Sequence, residues 1–301
     1  MAEQKEWKGK SRGGALGYKV FIFFLKNFGV RVAYFILIFV AAYFIIFAPK
    51  STRASFKYFR KIWKFPVLKS CWLTYLSYYR FGQTLLDKVA ILAGLKTNFS
   101  FFFDGEEHLR TLSKEGKGAI LISAHMGNWE IAGHFLKKLN TPINIVMYDG
   151  EDAGIKEILE KSMSQRKFKV IYVKEDFSHL LAIHKAIQNK EFICIHGDRF
   201  VKEQRGKIYQ AEFLGHPASF PRGPFELATR LKVPYTFVFA VKETASHYHF
   251  FATPGKDPSI GSEIMIKEYL TGMEKILKDY PEQWFNYYEF WDDYGDSLKN
   301  T

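Results

Sequence analysis

A histidine and a glutamate five positions apart follow an apolar run in the middle of the chain. The segment SAHMGNWE occupies residues 123–130, directly after GAILIS at 118–123. Polar side chains at the carboxyl end of a strand lie where open α/β sheets bind ligands. If Glu130 sits in the first turn of the next helix, it can reach back to one ring nitrogen of His125 and raise the basicity of the other. The pair therefore predicts a general base, His125, with an orienting acid, Glu130. Taken alone, the spacing is more typical of an ordinary helix capped by Asn128 beside a histidine.

A second polar cluster follows another apolar run. Asp198 and Arg199 come directly after FICIHG at 192–197. An acid and a guanidinium at the end of a strand could hold a phosphate, a pantetheine arm or a developing oxyanion. A structural ion pair is the alternative interpretation. Farther on, FLGHPASFPRGP at 213–224 precedes the helix-like FELATRL, and its prolines suit a first helical turn.

Short apolar runs alternate with amphipathic stretches from about residue 100 onward. This alternation predicts an α/β fold with a mixed, mostly parallel sheet flanked by helices. The predicted strands are 118–123, 143–148, 169–173, 192–197 and 234–241, and the predicted helices are 128–139, 154–166, 177–189, 221–231 and 263–279.

The positive charge of the chain is concentrated in its N-terminal third. Of 301 residues, 43 are Lys or Arg and 31 are Asp or Glu, a net charge of +12. Residues 1–100 hold 17 basic and 3 acidic side chains, so the rest of the chain is close to neutral. Hydrophobic residues make up 48% of the chain and aromatic residues 18%, which excludes disordered and low-complexity classes. Two cysteines, Cys71 and Cys194, are too few for a disulfide framework and indicate a reducing compartment.

Residues 20–48 form the most apolar part of the sequence. Seventeen consecutive residues without charge, 32–48, lie at the lower limit for crossing a bilayer. Basic residues flank this run, and FKYFRKIWKF at 56–65 mixes aromatic and cationic side chains as helices at anionic headgroups do. The pattern predicts a membrane anchor, either spanning or dipping into one leaflet, with the rest of the chain on the cytoplasmic side. For the apolar segment, a buried core helix is the alternative. For the basic, aromatic segment, nucleic acid is the alternative partner, but the adjacent apolar run favours anionic lipid.

These features divide the chain into four predicted segments. They are a polar leader at 1–19, the membrane anchor at 20–48, a basic, aromatic, membrane-proximal helical region at 49–100, and a globular domain at 101–301.

Several motifs, in the correct order, resemble the lipid A biosynthesis late acyltransferase family of the lysophospholipid acyltransferase superfamily. The family's histidine, four residues and an acid are met by His125 and Glu130 in the NWE context. Asp198 and Arg199 match a later Asp-Arg, and residues 213–228 match the F-x-G-x-P-A-x-x-P-x-G-P-x-x-L-A pattern. YPEQWFNYYEFW at 280–291 is similar to the family's closing segment, and the single N-terminal apolar segment also fits.

The resemblance implies transfer of a fatty acyl chain from an acyl thioester to a hydroxyl of a lipid or glycolipid. The donor would be acyl carrier protein or acyl-CoA, with no further cofactor and no metal. His125 would take the proton of the attacking hydroxyl while Glu130 holds the histidine, and Asn128, Asp198 and Arg199 would bind substrate. For the oxyanion, Arg199 or a backbone N–H near Gly127 are candidate donors. The resemblance also implies the inner membrane as location, a carrier protein and a membrane lipid as partners, and no nucleic acid.

Two other functions stay open at this stage. An acyl thioesterase would release free fatty acid without an acceptor, and a non-catalytic, membrane-tethered lipid-binding protein could share the fold. One departure concerns the acceptor: the segment after the second predicted strand begins with Asp149, Glu151 and Asp152, where the family often has an arginine-bearing segment. This predicts an acceptor that is less phosphorylated than a lipid A precursor.

Overall fold

A seven-stranded sheet forms the centre of the molecule in a computed structural model that describes residues 15–92, 94–128, 131, 139, 141–148, 168–174, 176–199 and 208–291. The strands are β1 (Ser100–Asp104), β2 (Ala119–Ser123), β3 (Ile143–Tyr148), β4 (Phe168–Val173), β5 (Phe192–His196), β8 (Tyr235–Lys242) and β9 (His247–Ala252). Their spatial order is β1-β9-β8-β2-β5-β3-β4. All neighbouring pairs are parallel except the antiparallel pair β8–β9. The predicted mixed, mostly parallel α/β sheet is confirmed.

A separate hairpin joins β6 (Ile208–Phe213) and β7 (His216–Pro221). Leu214 and Gly215 form its two-residue turn, and both have positive φ, as tight antiparallel hairpins require. The sequence predicts this stretch only as the segment before a helix, with prolines suited to a first helical turn, so the hairpin is a finding of the structure. Both strands of a two-stranded sheet are edge strands. Proline, which has no amide proton, is tolerated there without loss of a hydrogen bond between the strands.

Helices cover both faces of the sheet. They are α1 (Ala15–Phe47), α2 (Pro49–Lys57), α3 (Val67–Leu92), α4 (Glu106–Glu115), α5 (Ser178–Gln188), α6 (Gly223–Leu231) and α7 (Ser262–Asp279), with a π-helical turn at Tyr58–Ile62 and short 3₁₀ turns at Pro258–Ile260 and Pro281–Gln283. The strands alternate their side chains between two cores. In β2, Ile120 and Ile122 face the core shared with α5, α6 and α7, whereas Ala119 and Leu121 face α4.

Helix α1 is the one helix among the described residues that is long and apolar enough to cross a membrane, from Phe21 to Phe47. Its axis bends at Gly29, which adopts φ +78°, a backbone conformation that side-chain-bearing residues avoid. One face of α1 packs on α3 through a cluster that includes Leu25, Ala33 and Leu37. The predicted N-terminal helical segment is therefore present, and it is joined to the globular part along its length.

Candidate active site

The site forms where the parallel strands β2 and β5 end side by side. Their register pairs Ser123 with His196, and the Gly197 amide donates to the Ser123 carbonyl at 2.8 Å. The chain continues from β2 into the loop 124–128 and from β5 into residues 197–199. Because both strands end at the same edge of the sheet, polar residues 73 positions apart in sequence meet in one place.

His125 and Asp198 are hydrogen-bonded to each other twice. Nδ1 of His125 lies 2.8 Å from Oδ1 of Asp198, and the backbone N–H of His125 donates to Oδ2 at 3.0 Å. The His125 side chain is 27% exposed, whereas Asp198 is completely buried. A proton on Nδ1 shared with the carboxylate leaves the lone pair of the neutral imidazole on Nε2. This arrangement orients a histidine for proton abstraction at a partly open surface.

The electrostatic environment keeps Asp198 ionised. Burial alone would raise the pKa of this carboxyl, but the charge of His125, its hydrogen bond and the nearby Arg199 outweigh burial and hold the pKa well below its usual range. The ring of His196 lies on that of His125, with 3.9 Å between centroids. Burial, followed by the charge of His125, lowers the pKa of His196 well below its ordinary value. His196 is therefore a neutral neighbour of the His125–Asp198 pair.

Residues 283–285 fasten the loop that carries His125. The Gly127 amide donates to the Gln283 carbonyl at 3.1 Å, and the Phe285 amide donates to the His125 carbonyl at 3.0 Å. Trp284 adds a side-chain bond, because its Nε1 donates to Oδ2 of Asp198 at 2.9 Å. The segment thus holds both members of the His125–Asp198 pair.

Gly127 makes this close approach possible. Its φ is +54°, and a Cβ at this position would lie 2.1 Å from the carbonyl oxygen of Ala240. The loop therefore needs a residue that tolerates a left-handed conformation and has no side chain.

The other residues predicted for the site lie around the pair. Asn128 is buried and donates from Nδ2 to the Thr84 carbonyl of α3 at 2.8 Å, so it ties the loop to that helix. Arg199 donates from Nη2 to the Phe285 carbonyl, and its Nε is 4.0 Å from Asp198. Glu130 lies outside the described residues, and its pairing with His125 stays a prediction.

Asp198, which the sequence predicts to bind substrate, forms hydrogen bonds within the protein. Its oxygens accept bonds from His125 and Trp284, and no part of the side chain is exposed. Among the described residues, the acid that contacts His125 comes from the neighbouring strand, and the predicted partner, Glu130, lies outside those residues. The Gly127 amide, one of the candidate oxyanion donors, is already bonded to Gln283.

Gln283, Trp284 and His196 were not predicted as site residues. Trp284 packs against Phe213 and Tyr58 in an aromatic cluster. Its additional bond to Asp198 has no local sequence signal. For His196 a signal existed, because it is the last residue of a strand that ends beside the loop of His125. Within the described part of the chain, no group of three or more His, Cys, Asp or Glu side chains could hold a metal ion.

Comparisons with known proteins agree with this architecture. The family model for bacterial lipid A biosynthesis acyltransferases matches residues 79–291, which include every element of the site. The chain belongs to this family. The protein is accordingly an acyltransferase that acts on lipids.

Among solved structures, the chain is similar to the crystal structure of the 1-acyl-sn-glycerophosphate (LPA) acyltransferase PlsC from Thermotoga maritima, with 13% identity and a TM-score of 0.40. The match covers 85% of this chain and 99% of that chain. A search of curated proteins finds no match.

Proposed function

We propose that His125 is the general base of an acyl transfer reaction and that Asp198 is the positioning residue that fixes its tautomer. The observation that supports this proposal most directly is the 2.8 Å contact between Nδ1 of His125 and Oδ1 of the buried Asp198. With Nδ1 protonated, Nε2 accepts the proton of an acceptor hydroxyl. The buried carboxylate then stabilises the imidazolium that forms.

The chemistry proceeds in two steps. The acceptor oxygen attacks the thioester carbonyl carbon while its proton moves to Nε2 of His125. The tetrahedral intermediate then collapses, the carbon–sulfur bond breaks, and the thiolate leaves and takes the proton from the imidazolium. The products are an oxygen ester and a free thiol, and His125 and Asp198 return to their starting states.

The donor and acceptor are also part of the proposal. We assign the donor to acyl carrier protein, with acyl-CoA as the alternative, and the acceptor to the hydroxyl of a membrane lipid or glycolipid. Asp149, Glu151 and Asp152 favour an acceptor with few phosphate groups, because like charges repel in that part of the sequence. Arg199, beside the pair, is a candidate for contact with the oxyanion or with the donor's phosphate.

Residues 20–48 are the proposed membrane anchor, with the catalytic domain on the cytoplasmic side of the inner membrane. The apolar outer surface of α1 and the basic residues that follow it support this location. Loop 124–128 is tied to α3 through Asn128, and α3 packs on α1, so the site lies close to the lipid-binding elements. A lipid acceptor would therefore not have to leave the bilayer to reach His125.

The decisive experiment measures acyl transfer by purified His125→Ala protein. Loss of a general base costs typically about 10²–10⁴-fold in rate. His184→Ala is the matched control, because His184 is an exposed histidine on α5 and is not one of the residues that surround His125 and Asp198. Near-native transfer by His125→Ala would contradict the proposed mechanism. Release of free fatty acid at the same rate with and without acceptor would instead identify a thioesterase.

A further inference from the structure

The outward face of α1 is apolar and uncovered. Phe28, Phe35, Phe39 and Ile46 are all more than half exposed, with Phe39 at 63%. After the bend at Gly29, the spacing of three or four residues that joins Val32, Phe35, Phe39, Tyr43 and Ile46 places them on one side of the helix. From residue 32 to residue 46 this face extends for about 21 Å at 1.5 Å per residue. Patches of this size on a protein surface mark a site of interaction with a membrane or another protein.

The opposite face of α1 is fixed to the catalytic domain by a buried polar cluster of Tyr34, Asp87, Lys242 and Tyr248. Asp87 of α3 and Lys242 of β8 form an ion pair in which both side chains have no exposed surface. The Tyr34 hydroxyl donates to Asp87 and lies 3.0 Å from Nζ of Lys242. It also lies 3.3 Å from the Ala245 carbonyl in the turn between β8 and β9. The Tyr248 hydroxyl completes the cluster by donating to Asp87.

Tyr34 is the central residue of the apolar stretch 21–47. If α1 crossed a bilayer perpendicularly, the β8–β9 turn bonded to Tyr34 would lie at the bilayer midplane. This turn contains the exposed residues 244–246 and is flanked by Glu243 and His247, which are both about one-third exposed. Irregular backbone exposed to lipid is not found within the hydrocarbon region, because its polar groups would lack hydrogen-bond partners. The contacts of Tyr34 therefore argue against an α1 that crosses the bilayer perpendicularly.

Arg31 leads to the same conclusion. It is exposed on α1 and lies three residues before Tyr34, so in a spanning helix it would be only about 4.5 Å from the midplane. On a helix that lies in the plane of the membrane, an arginine at the border of the apolar face can extend its guanidinium to the headgroups.

A second patch continues this surface at the start of α3. Val67, Leu68 and Trp72 are exposed, with Leu68 at 84%. The Tyr75 hydroxyl donates to the Ile38 carbonyl at 3.2 Å, so this end of α3 lies beside the outer face of α1. Lys64 and Lys69 flank the patch and are exposed. Tryptophan and lysine are typical of the membrane–water interface.

The charge of this region indicates which kind of partner the exposed surface binds. Asp87 is the only acidic residue between positions 15 and 99, and it is buried in its ion pair. The exposed cations therefore have no acidic neighbours from this part of the chain. A surface that combines apolar and cationic side chains matches an anionic lipid layer.

We propose that α1 lies in the plane of an anionic bilayer, with its outer face among the acyl chains of one leaflet, and that it does not cross the membrane. The first turn of α3 inserts beside it, and the Tyr34–Asp87–Lys242–Tyr248 cluster holds α1 parallel to the membrane surface. This proposal rests on the proposed attachment of residues 20–48 to a membrane.

Spin labels placed along α1 test this orientation by depth. Single cysteines replace Phe28, Phe35, Phe39 or Ile46 in full-length protein carrying Cys71→Ser, while the buried Cys194 is left in place. The labelled proteins are bound to mixed vesicles of phosphatidylethanolamine and phosphatidylglycerol, and relative accessibility to oxygen and to a water-soluble nickel chelate gives each label's depth. Glu107→Cys on α4 is the water-exposed control. Each variant must keep the parent's thermal midpoint.

The orientations give distinct depth profiles. An in-plane helix places all four labels at a similar shallow depth, about 5–10 Å into the headgroup and acyl boundary. A spanning helix places the label at 35 near the midplane and the label at 46 about 16 Å closer to one surface, and this profile would overturn the proposal while leaving membrane attachment intact. Labels that are all as water-accessible as the control would overturn both the in-plane orientation and the attachment itself.

Discussion

At the scale of single residues, the site depends on a carboxylate that comes from a different strand than the histidine it holds. Asp198 bonds both the backbone and the ring of His125, so it fixes the position of the loop and the tautomer at once. Burial alone would raise the pKa of Asp198, but the charge and hydrogen bond of His125 and the charge of Arg199 hold it well below the ordinary range of a carboxyl, which favours the ionised form.

We expect Asp198→Asn to lower kcat by about 10²–10⁴-fold, because an asparagine no longer stabilises the imidazolium or selects the tautomer with its lone pair on Nε2. The residual activity should also extend to lower pH than that of the parent, since removal of the negative charge makes the imidazole easier to deprotonate. Rate–pH profiles of the two proteins measure both effects.

Glu130→Gln is the companion variant. If Glu130 orients His125 as the sequence spacing predicts, this variant should lose more activity than Asp198→Asn. The opposite order would assign the orienting role to Asp198. Glu130 would then be expected to interact only with the dipole of the predicted helix 128–139. The same loss in both variants, with unchanged pH profiles, would contradict the positioning role of either acid.

Gly127→Ala should destabilise the protein and abolish activity. A left-handed conformation costs a residue with a side chain about 1–3 kcal/mol, and the clash with the Ala240 carbonyl adds to this cost. Gly215→Ala is the matched control, because Gly215 has φ +75° but no atom within 4 Å of the added Cβ. Chemical denaturation of both variants separates the clash from the backbone strain, and equal losses would show that the close approach to Ala240 is unimportant.

At the scale of elements, the sequence predicts what depends on local pattern and misses what depends on partners. The apolar runs at 143–148 and 192–197 match β3 and β5 closely, because buried parallel strands are continuous apolar segments. The proline-containing β7 was missed, because a strand at an edge does not need the amide that proline lacks. Pairing of His125 with Asp198 follows from the β2–β5 register, which no spacing within one segment reveals.

We expect the protein to lose stability when only one partner of the buried ion pair between α3 and β8 is removed. Asp87→Asn leaves Lys242 buried without its counter-charge, and removing one partner of a buried pair costs about 3–5 kcal/mol. Arg230→Met is the control, because it removes a surface pair with Glu226 within α6, worth about 0.3–0.5 kcal/mol. Equilibrium unfolding in detergent gives the free energy of unfolding of both variants. A loss for Asp87→Asn as small as that of the control would mean that Lys242 finds another acceptor or loses its proton.

At the scale of the whole molecule, the charge distribution predicts where an acidic carrier protein would dock. The N-terminal third carries almost all the excess positive charge, whereas residues 101–301 hold 26 basic and 28 acidic side chains. An acidic carrier protein would therefore be attracted to the basic segment 57–64 at the end of α2. In that segment Lys57 is engaged in an ion pair with Glu289 at 2.6 Å, which leaves Arg60, Lys61 and Lys64 as the exposed cations.

Replacing Arg60, Lys61 and Lys64 with Gln should slow transfer from acyl carrier protein more than transfer from a small acyl thioester. Charge-steered docking accelerates encounter, and its effect falls as ionic strength rises. The comparison is made in neutral detergent micelles, where the contribution of these cations to lipid binding is silent. Replacement of Lys185, Lys190 and Lys232, which are exposed on the globular part, controls for net charge. If both donors slow equally, or neither slows, the carrier docks elsewhere.

The contacts of residues 283–285 also set an order of events during synthesis. These residues follow every described strand of the sheet in the chain, yet they hold the loop of His125 and bond Asp198. About 215 residues separate Lys69 from Trp284. This distance corresponds to roughly ten to forty seconds of translation at ~5–20 residues per second. If residues 20–48 attach to a membrane as proposed, a nascent chain can meet it well before His125 is held in place. The ribosome would deliver the enzyme to its lipid surface in an inactive state, and the site would be completed there.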